Sequence, residues 1–242
     1  MRLDAAVQAV DFVSDLHLSA AMPRTTEAFM AYLAHTPADA LVLLGDVFEA
    51  WVGDDLLSQP FEAEVAAALH AASRRMPVAL MVGNRDFLLG AAFHAAAGTQ
   101  PLADPSVLEA FGQRVLLTHG DALCVADAPY QQFRAQVRTP AWQQAFLARP
   151  LAERQALARG MRDASQAHQQ GQVAYADADP DLSAQWLADA GAAVLIHGHT
   201  HRPGSGPFAS GQRHVLSDWD LDHGQRAEVL RWTAAGLQRV RP

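Results

Sequence analysis

The chain has 242 residues, half of them hydrophobic, which is enough for one large α/β domain or one domain with an insert. Its net charge of −8 argues against a generic nucleic-acid binder. All 18 basic residues are arginine, so Walker-A phosphate loops and Schiff-base chemistry, both of which need lysine, are excluded.

The N-terminal stretch carries an early Asp4 and no long apolar segment, so it does not read as a secretory signal. The first apolar run, "AVDFVSDLH", ends in Asp15 and His17. A helical stretch follows, with Thr25 and Thr26 as possible N-caps. The second run, "ALVLLGD", spans Ala40 to Asp46. The Ala-rich "PFEAEVAAALHAASRR" reads as a helix, and "VALMVGNRD" then carries Asn84, Arg85 and Asp86. "RVLLTHGD" presents His119 just before Gly120, and the single cysteine, Cys124, reads as buried filler.

From Pro129 to His168 the chain is helix-rich and strand-poor, with six arginines against two acids. This marks a helical insertion over about 129–170 in one domain spanning 1–242. "ADADPD" reads as a surface loop. The fifth apolar run, "AVLIHGHTH", ends in His197, His199 and His201, and "RAEVLRWTAAGLQRVR" reads as a hairpin turning at Ala234–Gly236. Strand, loop, helix, strand is the α/β pattern. No run is long enough to span a membrane, and a lone cysteine allows no intrachain disulfide, so a cytoplasmic location is expected.

Five strand ends thus carry oxygen or imidazole ligands. Asp15 and His17 are two apart, as are His199 and His201, so each pair can face one side. With Asp46, Asn84 and His119 they make seven, too many for one catalytic ion that keeps an open position. Two ions sharing a carboxylate suit this number, with Asp46 as the bridge. The O/N donor set points to Mn²⁺, with iron or Zn²⁺ also compatible. His197 is expected to face away from the pair or to support the loop. The other histidines lack this context.

The blocks "DLH", "GD", "GNRD", "HGD" and "GHTH" resemble those of the calcineurin-like metallophosphoesterases. "GDVFEAWVGDD", "GMRDAS" and "HGHTHRP" narrow the resemblance, over nearly the whole chain, to the UDP-2,3-diacylglucosamine diphosphatases of lipid A biosynthesis. The resemblance implies an αββα sandwich of two mixed sheets around a dimetal site, with the helical insertion as a lid. It implies hydrolysis of a pyrophosphate bond by an activated water, giving UMP and 2,3-diacylglucosamine 1-phosphate. It places Asn84, Arg85 and His119 at the catalytic centre. Substrate contacts fall on Asn84, Arg85, Asp127, Ser165, Gln169, Gln172 and His199. Gln169 stands where relatives often have Asn, and Gln172 where they often have Lys. Arg162 is the residue able to supply positive charge in place of that lysine.

Arg85 suits such a reaction. A guanidinium cannot protonate an alkoxide, but a phosphate-monoester leaving group needs charge neutralisation, which Arg can give bidentately. Phe133, Val137, Trp142, Phe146, Leu147 and Leu151 can form an apolar cover for acyl chains or lie at the bilayer surface, with nearby arginines meeting head groups. They can equally pack as a hairpin on their own domain. The implied partners are the substrate and the cytoplasmic face of the inner membrane, with no nucleic acid and no obligate protein partner. The rival readings are another metallophosphoesterase, acting on dinucleoside polyphosphates or phosphoproteins, and a non-catalytic scaffold.

Overall fold

The computed structural model describes residues 1–4, 6–170 and 176–242, with 163–170 described by their backbone alone. The strands in chain order are β1 (Ala9–Val13), β2 (Ala40–Leu44), β3 (Val78–Met81), β4 (Gln100–Leu102), β5 (Ser106–Ala110) and β6 (Gln113–Thr118). Then come β7 (Val194–His197), β8 (Gly204–Phe208), β9 (Gly211–Val215), β10 (Val229–Thr233) and β11 (Gly236–Val240). They form two mixed sheets, ordered β11-β10-β1-β2-β3-β4 and β5-β6-β7-β9-β8. β1 to β4 run parallel to one another, as do β6, β7 and β9.

Alternation along the strands sorts the core into layers. Val42, Leu44, Met81, Val115, Leu117 and Ile196 point between the sheets. Their neighbours Leu41, Leu43, Val78 and Leu80 face the outer helices α1 (Pro23–His35), α2 (Pro60–Ser73) and α3 (Ala91–Ala97). On the other side, Leu116 and Leu195 pack with Leu187 of the final helix, Pro180–Ala190. A strand buried on both faces reads as an unbroken apolar run, which is why β2 and β3 are legible in the sequence. β8 contains Gly and Pro and lies at a sheet edge, where those residues are tolerated, so the sequence conceals it.

Between β6 and β7 the chain forms α4 (Ala128–Val137), α5 (Pro140–Leu147) and α6 (Leu151–Gln170), and the final helix is α7. The helix α1 corrects one expectation. Thr25 and Thr26 do not cap it; they lie in its first turn. The cap comes from Asp222, far along the chain, which accepts the backbone N–H groups of Arg24 and Thr25 at 3.1 and 2.9 Å and the Thr25 hydroxyl at 2.7 Å. The "ADADPD" stretch is a loop over residues 176–179, as expected, but it is tied to the fold, and Pro180 and Asp181 open α7. Asp179 caps α7, Asp177 pairs with Arg213 at 2.9 Å, and Ala178 between them is buried.

Candidate active site

The loops leaving β1, β2, β3, β6 and β7 converge. Asp15 N–H donates to the Gly45 carbonyl, Gly198 N–H to that of His119, and Trp219 N–H to that of Asp15. Among the described residues, seven non-glycines have positive φ, and five of them are expected ligands: Asp15, His17, Asp46, His199 and His201. Such backbone costs roughly 1–3 kcal/mol per residue and persists only where the surroundings enforce it. Strain concentrated on this set turns these side chains toward one point. Glycines make the approach possible: a Cβ on Gly83 would lie 2.6 Å from the Asp46 nitrogen, and one on Gly45 2.7 Å from His119 Nδ1.

The side chains form two adjoining groups. In one, His17 Nε2 and His201 Nε2 lie 3.2 Å apart, and His201 Nε2 is 3.4 Å from Asp15. In the other, Asn84 Oδ1 lies 2.9 Å from His119 Nε2 and 2.8 Å from His199 Nδ1. Asp46 Oδ2 stands between them, 4.0 Å from His17 Nε2 and 3.7 Å from His119 Nε2. All seven expected ligands are therefore brought together. His197 is outside both groups; its Nδ1 donates to the Gly198 carbonyl at 2.8 Å.

This donor set fits divalent cations. Ligand atoms of Asp15, His17 and His201, and of Asp15, Asp46 and His119, fall within 4.8 Å of one another. The electrostatics favour positive charge. Burial opposes a proton on His119, yet Asp46, Asp15 and Asp121 outweigh it and push the ring up to about 9. Burial would raise the Asp15 carboxyl, but His201, with His119 and His17, holds it well below the usual range. At the other end burial, with His119 beside it, holds His199 down at about 4, so this ring presents a neutral nitrogen. The His119 Nδ1–H is committed to the Leu44 carbonyl at 2.8 Å, which turns Nε2 toward Asn84 and Asp46.

Next to these groups opens a cavity of about 490 Å³. Its lining includes the polar Asn84, Arg85, Asp127, Tyr130, Arg162 and His199 and the apolar Trp51, Val52, Phe87, Leu88, Phe133 and Trp142. Tyr130 stacks on His199 with ring centres 5.9 Å apart. Asp127 lines the cavity and also caps α4 through Tyr130 N–H. Arg85 does not pair with Asp86. Asp86 is buried and accepts backbone N–H groups from Gly83 and Val47 at 2.7 and 2.8 Å, while Arg85 faces Glu49 at 3.9 Å. Cys124 is buried and, beyond filling space, forms part of the cavity wall.

The insertion contributes selectively. Phe133, Trp142 and Phe146 line the cavity, but Val137, Leu147 and Leu151 do not. Val137 and Phe146 are buried, so neither can lie at a bilayer surface; Phe133 and Leu147 are exposed. Most of the expected head-group arginines are engaged inside the fold. Arg134 bonds Asp121, Arg138 bonds the Gly83 carbonyl, Arg154 bonds Asp55, and Arg162 bonds Glu49. Ser165 and Gln169 fall where only the backbone is described, and Gln172 lies outside the described residues.

Two groups carry no role in the sequence reading. Glu49 contacts His17, Arg85 and Arg162, and Asp54 and Asp55 fasten the cavity wall. Asp54 accepts N–H groups from Gly90, Ala92 and Phe93 and so caps α3. All three lie in "FEAWVGDD", which stands out as a string but whose contacts are made by residues distant in sequence.

Residues 9–203 match the calcineurin-like phosphoesterase family. The chain is 46% identical over 236 residues to the UDP-2,3-diacylglucosamine hydrolase of Chromobacterium violaceum, covering 96% of this chain and 98% of that one. It is 47% identical over 242 residues to the protein of the same name from Xanthomonas campestris, covering 93% and 96%. The protein of that name from Ralstonia nicotianae is 46% identical, covering 92% of this chain and 88% of its own.

Proposed function

Because this chain belongs to the calcineurin-like phosphoesterases, we propose that it is a metal-dependent hydrolase that splits the pyrophosphate bond of UDP-2,3-diacylglucosamine into UMP and 2,3-diacylglucosamine 1-phosphate. The observation that carries this reading is the cavity. Its lining joins Asn84 and His199 of the ligand groups, with Arg85 and Arg162, to a large set of aromatic and aliphatic side chains. A diacylated sugar nucleotide has that polarity, with charged phosphates at one end and acyl chains at the other. Dinucleoside polyphosphates and phosphopeptides carry no acyl chains to occupy that apolar lining.

In this reading Asp15, His17 and His201 would hold one divalent ion, Asn84, His119 and His199 the second, and Asp46 both. The O/N donor set favours Mn²⁺. Ions bound there supply Lewis-acid neutralisation of phosphoryl charge and activate a water for attack. Arg85 and Arg162 bind phosphate oxygens and neutralise charge on the leaving phosphate monoester, a weakly basic group that needs no proton donor. Asp127 and His199 orient the sugar and phosphate. Trp51, Phe87, Phe133 and Trp142 exclude water and take the acyl chains. No described helix is long and apolar enough to cross a membrane. A lipid substrate therefore argues for peripheral work at the cytoplasmic face of the inner membrane.

Purified protein, treated with chelator and resupplied with Mn²⁺, should hydrolyse UDP-2,3-diacylglucosamine only with the metal, and in ¹⁸O-water the label should enter UMP. Full turnover without metal would overturn the metal-dependent mechanism. No hydrolysis with Mn²⁺ would overturn the substrate assignment, and label in the lipid product would place attack on the other phosphorus.

A further inference from the structure

Glu49 lines the cavity and faces both Arg85 and Arg162. It sits just after β2, where its N–H donates to the Leu18 carbonyl at 3.1 Å, so its backbone is tied to the β1 loop that carries His17. One carboxylate oxygen, Oε2, lies 3.3 Å from His17 Nδ1. The other, Oε1, lies 2.8 Å from Arg162 Nε and 3.9 Å from Arg85 Nη1. Three functional elements thus converge on one side chain: a ligand of the first metal group, the phosphate-facing arginine of the β3 loop, and the arginine of helix α6 in the insertion.

The two oxygens do different work. The Oε2 contact with His17 Nδ1 is electrostatic, since that nitrogen makes no aligned hydrogen bond, and a carboxylate there favours the proton on Nδ1 and leaves Nε2, the atom turned toward His201 and Asp46, as the ligand. The second oxygen holds two guanidinium groups that would otherwise repel each other across the cavity. It leaves part of each fork free, because Arg162 engages through Nε and Arg85 through one terminal nitrogen. An aspartate would be one methylene too short to reach from the β2 loop to both, and a glutamine would lose the charge that pairs with the arginines.

We propose that Glu49 is a positioning residue that couples the metal centre to the helical insertion. It sets the tautomer of His17 and clasps α6 over the site through Arg162, so that metal occupancy and phosphate binding depend on the same side chain. This rests on the functional reading above and adds a residue to which that reading gives no role.

The test compares Glu49→Gln, Arg162→Gln and the double variant with wild type. Mn²⁺ affinity is measured by calorimetry without substrate, and KM and kcat are measured at saturating Mn²⁺. A ligand-orienting carboxylate typically contributes 10–100-fold in metal affinity. Glu49→Gln should therefore weaken Mn²⁺ binding at least tenfold and raise KM, whereas Arg162→Gln should raise KM and leave Mn²⁺ affinity within twofold. In the double variant the KM effects should be less than multiplicative, since both substitutions break one contact. Glu49→Asp, which keeps the charge, serves if Glu49→Gln proves unfolded by circular dichroism, and it should show the same split. Unchanged Mn²⁺ affinity in a folded Glu49 variant, or independent KM effects, would overturn the inference alone. Wild-type protein that binds no Mn²⁺ would overturn the reading of the site itself.

Discussion

Arg154 should fasten the insertion to the body of the protein, and removing it should loosen the substrate-facing wall. It is a buried arginine on α6, with 3% of its surface exposed. Its guanidinium donates to the Val52 carbonyl and to both oxygens of Asp55, and its Nε donates to the Arg149 carbonyl at 2.9 Å. In Arg154→Ala the Val52 carbonyl, in a buried residue, loses its donor, at about 1–3 kcal/mol. The lost methylenes add roughly 2 kcal/mol of apolar burial. The Asp55 pair adds little, about 0–1 kcal/mol, because that carboxylate is half exposed. Alanine is the best helix former, so no propensity penalty enters. The expected loss is about 3–6 kcal/mol, which for a chain of this size lowers Tm by roughly 6–24 °C. If the insertion opens as a unit instead, the same loss appears as faster amide exchange along α6. Arg149→Ala is the control: its pair with Glu153, four residues on, is exposed on both sides and is worth only about 0.3–0.5 kcal/mol. Calorimetry and hydrogen exchange read both forms of the effect. An Arg154→Ala protein matching Arg149→Ala in both would refute the claim that this arginine latches the insertion.

Asp46→Asn should retain the fold, since Asn tolerates the left-handed backbone of this position and its amide oxygen can still accept from Arg85 N–H. It should lose turnover by several orders of magnitude together with bound metal, read by kcat and elemental analysis; a variant with both ions and near-normal rate would show that Asp46 is no bridge. Burial, with Asp121, Asp177 and Asp127 nearby, pushes the Cys124 thiol up to about 12. Its alkylation by iodoacetamide at pH 8 should run roughly a thousandfold slower than in the unfolded chain, followed by intact mass. Comparable rates would show that the thiol is not held in this environment.

The sequence by itself determined the parts that depend on local order. Runs such as "ALVLLGD" are apolar throughout because a central parallel strand is buried on both faces, so β1, β2, β3, β6 and β7 are legible as strands. Their chemistry is legible too, because a ligand at a strand end sits next in sequence to the run that carries it. All seven expected ligands meet, although nothing in the sequence states the distances. The tertiary structure alone decided what joins distant segments. The cap of α1 is supplied by Asp222, some two hundred residues away, so the nearby threonines mislead. Glu49 is an ordinary acid until folding places His17 on one oxygen and Arg162 on the other. The arginines of the insertion read as a basic surface, yet most of them bond carbonyls or carboxylates of the fold. A charge in sequence carries no record of its partner, and an arginine's long stem lets it reach inward as readily as outward. Left-handed backbone at five ligand positions is likewise invisible beforehand, because none of them is glycine and only the surrounding loops enforce it.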